Sequence, residues 1–164
     1  MRTTLLIIFT ALLAVPSLAQ KFGHIDSNAL LMAMPEREEA EKKIEAEAVQ
    51  YDDALKQMQQ DFQAKYQEYL AKAETWPEAI RKSKENELRQ LEQGMQEFSQ
   101  SAQEDLAKLE QELLTPMIDR AKEAIEAVGK ENGYVYIFDS STGVTVYNGG
   151  DDVMDLVKAK LEME

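Results

Sequence analysis

The sequence predicts an α+β protein: a small β-sheet domain made from the two ends of the chain, interrupted by a long antiparallel hairpin of α-helices. Three observations predict it. Residues 36–128 hold one glycine, Gly94, and two prolines, Pro77 and Pro116, among Ala, Glu, Lys, Gln and Leu, which are strong helix formers. Apolar residues through that stretch recur in steps of three and four, the spacing of a coiled-coil seam. On both sides lie short β-favouring runs bounded by turn residues.

The chain opens with a weakly basic Met1-Arg2-Thr3-Thr4, an apolar run from Leu5 to Val15, and Pro16-Ser17-Leu18-Ala19 ahead of Gln20. The run is too short for a membrane span, which needs about 20 residues. Its order of parts is that of a secretory signal peptide cut after Ala19. No later segment approaches a span, so a soluble, exported product is expected, with the periplasm as destination in a bacterial setting. Removing Arg2 leaves 17 basic and 31 acidic residues, a charge of −14.

After the cleavage site, Lys21-Phe22-Gly23-His24-Ile25-Asp26 reads as a strand, and Ser27 or Asn28 is placed to cap a short helix over 29–33. The first arm of the hairpin carries Ile44, Ala48, Tyr51, Leu55, Met58, Phe62, Tyr66, Tyr69, Ala73 and Trp76 at heptad steps, with a stutter between Phe62 and Tyr66. About 40 residues at 1.5 Å each make it about 60 Å long. Glu74-Thr75-Trp76-Pro77-Glu78 breaks the pattern, and Pro77 suits the first turn of the next helix. The second arm runs from Leu88 through Leu91, Met95, Phe98, Ala102, Leu106, Leu109, Leu113, Met117, Ala121 and Ala124 to Val128. Pro116 inside it predicts a kink near Leu113 with the helix continuing beyond.

The all-apolar Tyr134-Val135-Tyr136-Ile137-Phe138 predicts a strand buried on both faces. Ser140-Ser141-Thr142-Gly143 is a turn, Val144-Thr145-Val146-Tyr147 the expected return strand of a β-hairpin, and Asn148-Gly149-Gly150 a second turn. Asp151 or Asp152 can then cap a last helix bearing Val153, Leu156, Val157 and Leu161. The expected organisation is a signal peptide at 1–19, a β-rich oligomerisation body at 20–34 and 129–164, and a hairpin at 35–128 with its tip near 74–78.

Composition narrows the chemistry. There is no cysteine, hence no disulfide, thiol nucleophile, thiolate metal site or lipoprotein anchor. The single histidine, His24, has no partner for a metal or catalytic pair, and no GxxxxGK loop is present to cradle phosphates. A net charge of −13 argues against nucleic acid. No nucleophile–base constellation stands out from the many carboxylates, so the chain is expected not to be an enzyme and to need no cofactor. The sheet domain, with only 51 residues, is too small to be secure alone without a staple, and its strand edges are left open. Self-association answers both problems.

The layout resembles the Skp/OmpH family of bacterial periplasmic chaperones. The signal peptide, the Lys21–Asp26 strand, Ser27-Asn28-Ala29-Leu30-Leu31 leading to Met34-Pro35-Glu36, the charged hairpin, Gly133-Tyr134-Val135-Tyr136-Ile137-Phe138-Asp139 and Asp151-Asp152-Val153-Met154-Asp155-Leu156 carry the resemblance. It implies a homotrimer whose strands form a central barrel, with helical tentacles enclosing a cavity that holds unfolded outer-membrane proteins without ATP. Client-contact candidates are then Met58, Phe62, Tyr66, Tyr69, Trp76, Met95 and Phe98. Oligomerisation candidates are Phe22, Ile25, Tyr134, Val135, Tyr136, Ile137 and Phe138, with Val144 and Val146 on the expected return strand. The methionines either fill the seam or offer adaptable contacts; Trp76 either caps the hairpin against Tyr69 and Ile80 or touches clients or membrane. The best-known members are basic and linked to anionic lipid and lipopolysaccharide, whereas this chain is acidic, so that binding is not carried over. Residues 61–89 are neutral, with six basic and six acidic side chains, so the excess negative charge lies outside them. The competing reading, a structural adaptor of the cell envelope, normally carries larger β domains than 51 residues allow.

Overall fold

A computed structural model describes residues 20–163; the expected signal peptide at 1–19 lies outside the described residues. The elements are β1 (Lys21–Ile25), α1 (Ser27–Ala33), α2 (Pro35–Lys72), α3 (Glu78–Asn132), β2 (Tyr134–Asp139), a 3-10 turn (Ser140–Thr142), β3 (Asp151–Asp152) and α4 (Met154–Lys160). The chain divides into two compact units, residues 20–30 with 121–163, and residues 31–120. The expected α+β class is thus what the chain adopts: two long helices in a hairpin and a small three-stranded sheet.

In the first unit the strand order is β2-β1-β3, and both pairings are parallel. Lys21 pairs with Tyr134 and Phe22 with Tyr136, a bulge that leaves Val135 without a partner and aims the aromatic residues. The expected β-hairpin does not form. Asp139 ends β2 by accepting the Ser141 N–H at 3.0 Å, and Gly143 closes the 3-10 turn with φ of 68°, a left-handed value that glycine adopts freely. Residues 144–147 then run without strand partners. The chain returns to the sheet as Asp151–Asp152, on the far side of β1, where the Val153 N–H donates to the His24 carbonyl at 3.0 Å. Gly150 allows that approach: a Cβ there would lie 2.5 Å from the Phe22 carbonyl oxygen.

The α1 cap also differs from expectation. The Ala29 N–H donates to Asp26 Oδ1 at 2.9 Å, so Asp26 is the cap and the helix starts at Ser27. Ser27 serves elsewhere: its hydroxyl donates to Asp139 Oδ2 at 2.6 Å and its N–H to Asp139 Oδ1 at 3.2 Å. This ties the start of α1 to the end of β2. At the last helix, Asp152 does hold the first turn, accepting the Met154 N–H at 2.9 Å, while also standing in β3. Ile25, Leu30, Ala121, Ala124, Val128, Val153 and Val157 are the buried apolar residues of this unit.

In the second unit, Met34 is extended ahead of Pro35, which opens α2 at its first position, and Glu36 and Glu38 suit the positive end of the helix dipole. α2 stops at Lys72. Thr75 accounts for the exposed carbonyl there, its hydroxyl donating to the Lys72 oxygen at 2.7 Å. The Pro77 carbonyl then accepts the Arg81 N–H at 3.1 Å and starts α3, which runs unbroken through Pro116 for 55 residues. At 1.5 Å per residue α3 is about 80 Å long.

Two predictions follow from the sheet unit. Gly150→Ala should cost about 1–3 kcal/mol in thermal or denaturant unfolding, because the obstacle is backbone that cannot turn aside; a neutral effect would mean β3 does not pair as described. The second concerns acid. Burial raises the Asp139 carboxyl, but the hydrogen bonds from Ser27 and Ser141 more than offset it, so it titrates below the ordinary carboxylate range. A lowered folded value contributes stability above the unfolded value of about 3.9 and loses it as pH falls through the folded value. Asp139→Asn should therefore lower stability at neutral pH and flatten its fall below pH of about 4, measured by urea midpoints across pH.

Candidate functional site

Two surfaces gather the residues singled out by the sequence: the inner seam of the helical unit and one face of the sheet unit. Along α3 every expected seam position from Leu88 to Val128 is buried or half-buried. Along α2 the seam agrees from Ile44 to Phe62 and then departs. Lys65, not Tyr66, takes the next inward position, so the step after Phe62 is three residues and the expected stutter is absent there. Lys65 forms an ion pair with Glu87, which also accepts from Lys84 at 3.0 Å. Hydrogen bonding to Glu87 is the main cause that raises Lys65, and hydrogen bonds from Lys65 and Lys84 lower Glu87. A lysine stem half-buried with its charge at the edge is a familiar way to place a cation beside an apolar seam. Tyr66 turns to the flank, where it stacks on Phe62 with ring centroids 6.0 Å apart.

The other expected client-contact residues lie mainly between the helices. Tyr51 and Phe98 meet edge to face at 6.0 Å. Met58 reaches Gly94, where a Cβ would stand 3.9 Å from its terminal methyl. Met95 is half-buried. The Tyr69 hydroxyl donates to Glu85 at 2.6 Å and its ring lies 6.2 Å from Trp76. That hydrogen bond is the first cause raising the Tyr69 hydroxyl above its ordinary value. Trp76 is half-buried at the turn against Tyr69, whereas Ile80, its other expected neighbour, is exposed. The heptad reading passes over Leu70 and Ile80, both exposed, because it registers apolar residues only where they fit the seam.

The sheet face is different in kind. Phe22, Tyr136 and Phe138 form a stack with centroids 6.0 to 6.4 Å apart, and all three are exposed, as is Val135. The expectation that β2 is buried on both faces is therefore not met within one chain. Ile137 and Tyr134 are half-buried. Tyr134 carries Lys21 over its ring at 4.1 Å and donates to Asp151 at 2.9 Å. Ile25 belongs to the chain's own core, at 2% exposure, and has no surface to offer a second copy. Val144, Val146 and Tyr147 are almost wholly exposed. Behind β2, a depression of about 400 Å³ is floored by Ile125, Gly129, Val135 and Ile137 and edged by Lys122 and Lys130.

Among the described residues, no group of three acidic or histidine side chains is placed to hold a metal, and no helix is long and apolar enough to cross a membrane. The arrangement offers apolar surface at the sheet and long, half-apolar helices.

Comparison with known proteins agrees with this arrangement. The sequence pattern of the outer membrane protein (OmpH-like) family matches residues 21–161. The Chaperone protein Skp of Pectobacterium atrosepticum is 23% identical over 140 residues, which is 85% of each chain. A crystal structure described as that of an OmpH-like outer membrane chaperone, from Caulobacter crescentus CB15, shares the fold with a TM-score of 0.74. It is 17% identical, and the match covers 90% of this chain and 86% of that one.

The seam yields a prediction of opposite sign to most. Gly94 sits mid-helix with ordinary room for a methyl group beside the flexible end of Met58. Gly94→Ala should stabilise the chain by about 0.5–1 kcal/mol, since glycine costs that much in a helix interior. A lowered unfolding midpoint would show that the two helices pack closer at Gly94 than described.

Proposed function

The chain belongs to the OmpH-like outer membrane protein family, and from that membership we propose that it is an ATP-independent periplasmic holdase for unfolded outer-membrane β-barrel proteins. Such a protein must shield aggregation-prone segments without gripping any of them. Long helices with modest apolar surface do this through many weak contacts whose sum depends on multivalency. Export by a cleaved signal peptide places the chain where no nucleoside triphosphate is at hand, so holding and release run on binding equilibria alone.

The observation that carries the assembled form is the exposed Phe22–Tyr136–Phe138 stack. An apolar patch of this kind on a unit of so few residues marks an association surface. We take the assembly to be a homotrimer in which the sheet units meet and the hairpins surround a client cavity. Self-association would also cover the free edge of β2, which otherwise invites uncontrolled strand pairing.

The test mixes the purified exported chain with a urea-unfolded β-barrel membrane protein and dilutes the denaturant. Light scattering should stay low without any nucleotide. Aggregation as fast as that of the β-barrel alone would overturn the holdase reading. The solution mass should be three times that of one chain, and Tyr136→Ser with Phe138→Ser should reduce it to that of a monomer. A variant that keeps the full mass would place the interface elsewhere.

A further inference from the structure

Neutral charge and exposed apolar surface coincide on the hairpin. Residues 61–89 carry six basic and six acidic side chains, so the whole net charge of −13 lies outside them. The same segment holds Tyr66, Leu70 and Ile80, which are 42, 57 and 46% exposed. Along α2 and α3 the only other exposed large apolar side chain is Val49. Tyr66 and Leu70 stand one turn apart and share a face of α2. Helical spacing brings Gln59, Gln63 and Gln67 to that face, and all three are exposed. Lys65 is what turns this face outward: by taking the inward position and pairing with Glu87, it leaves Tyr66 on the flank.

We infer that the Tyr66–Leu70 face, with Ile80 on the neighbouring helix, is where the chain touches an unfolded polypeptide, and that the contact is apolar and amide-based with no net charge attraction. The inference rests on the holdase reading above and names the surface that serves it. An unfolded chain presents apolar side chains together with unpaired backbone N–H and C=O groups. Tyr66 and Leu70 answer the first, while glutamine amides both donate and accept and so answer the second without selecting for charge. A lipid surface is the poorer fit. Helices that lie on membranes have a broad apolar face rimmed by Lys and Arg, and here the apolar face is two side chains long in a chain of strong negative charge.

The sign of the salt effect follows. An acidic client is repelled by the chain outside residues 61–89. Added salt shortens the reach of that repulsion to about 10 Å at 0.1 M and leaves apolar contact intact. Retention should therefore hold or tighten as salt rises, whereas capture by charge attraction would weaken.

The experiment measures the dissociation constant of an acidic, urea-unfolded β-barrel protein for the full exported chain, at NaCl from about 20 to about 300 mM. Wild type should bind as tightly or more tightly at the higher salt. Tyr66→Ser with Leu70→Ser should weaken binding about tenfold at both, the size expected for losing a central apolar contact, and Val49→Ser less than about twofold. The unfolding midpoint of the double variant, whose altered side chains are exposed, should stay near wild type. Weakening of the wild type by salt would overturn the inference, as would a double variant that binds like wild type. Equal loss on vesicles of neutral lipid, with client binding intact, would assign the face to membranes instead and also overturn it. If the wild-type chain holds no client at any salt, the holdase reading itself fails; retention that persists without Tyr66 and Leu70 sinks only the surface.

Discussion

The parallel pairing of β1 with β2 is the constraint on which the rest depends. These strands lie 108 residues apart, and the sheet exists only if the chain between them leaves and comes back. Parallel neighbours always require a crossover, since no tight turn can join them. Here the crossover is the helical hairpin itself. A disordered insertion of that length would add loop-closure entropy, though slowly with length; an ordered hairpin that returns on itself reduces even that. The Ser27–Asp139 hydrogen bonds secure the far end of the β1–β2 pair, at the point where the chain departs into α1 and where β2 stops.

The helices were legible because their physics is local and periodic. Every seam position along α3 could be read from threes and fours, and Pro116 did not end the helix since the pattern continued past it. The seam of α2 departs from the apolar spacing at one step. Periodicity counts only apolar residues as inward, so it chose Tyr66, while the structure places Lys65 there because Glu87 across the seam receives its charge. A pairing between two residues 22 apart, one on each helix, leaves no trace in the spacing of either helix. The α1 cap failed for a similar reason: Ser27 had the right chemistry but was claimed by Asp139, leaving the cap to Asp26.

The sheet was less legible. A β-favouring run, a turn and a second β-favouring run describe a hairpin equally well as a strand followed by a free segment. What decided between them was the conformation of the turn and the edge of β1 that Gly150 allows the chain to approach. Neither property is periodic. The same holds for the Phe22–Tyr136–Phe138 stack: composition indicated burial of both faces of β2, and a single chain covers only part of it. The apolar surface that local rules expected to be inside remains on the outside of one chain, and that mismatch is the physical argument for a partner.

Charge gives these pieces a common logic. An excess of acid keeps long exposed helices apart, and it equally repels any acidic polypeptide. Over residues 61–89 basic and acidic side chains balance, which removes that repulsion along this stretch, and Tyr66, Leu70 and Ile80 stand on it. Lys65 links the two properties, since one residue both cancels acidic charge within the segment and directs Tyr66 away from the seam. Exchanging the roles of the two neighbours would bury the tyrosine and expose the lysine, giving a tighter seam and a flank with less apolar surface. The ion pair that looks like a flaw in the coiled coil is thus the feature that gives the hairpin an outward apolar face, at little expense in stability because the pair remains in contact with water.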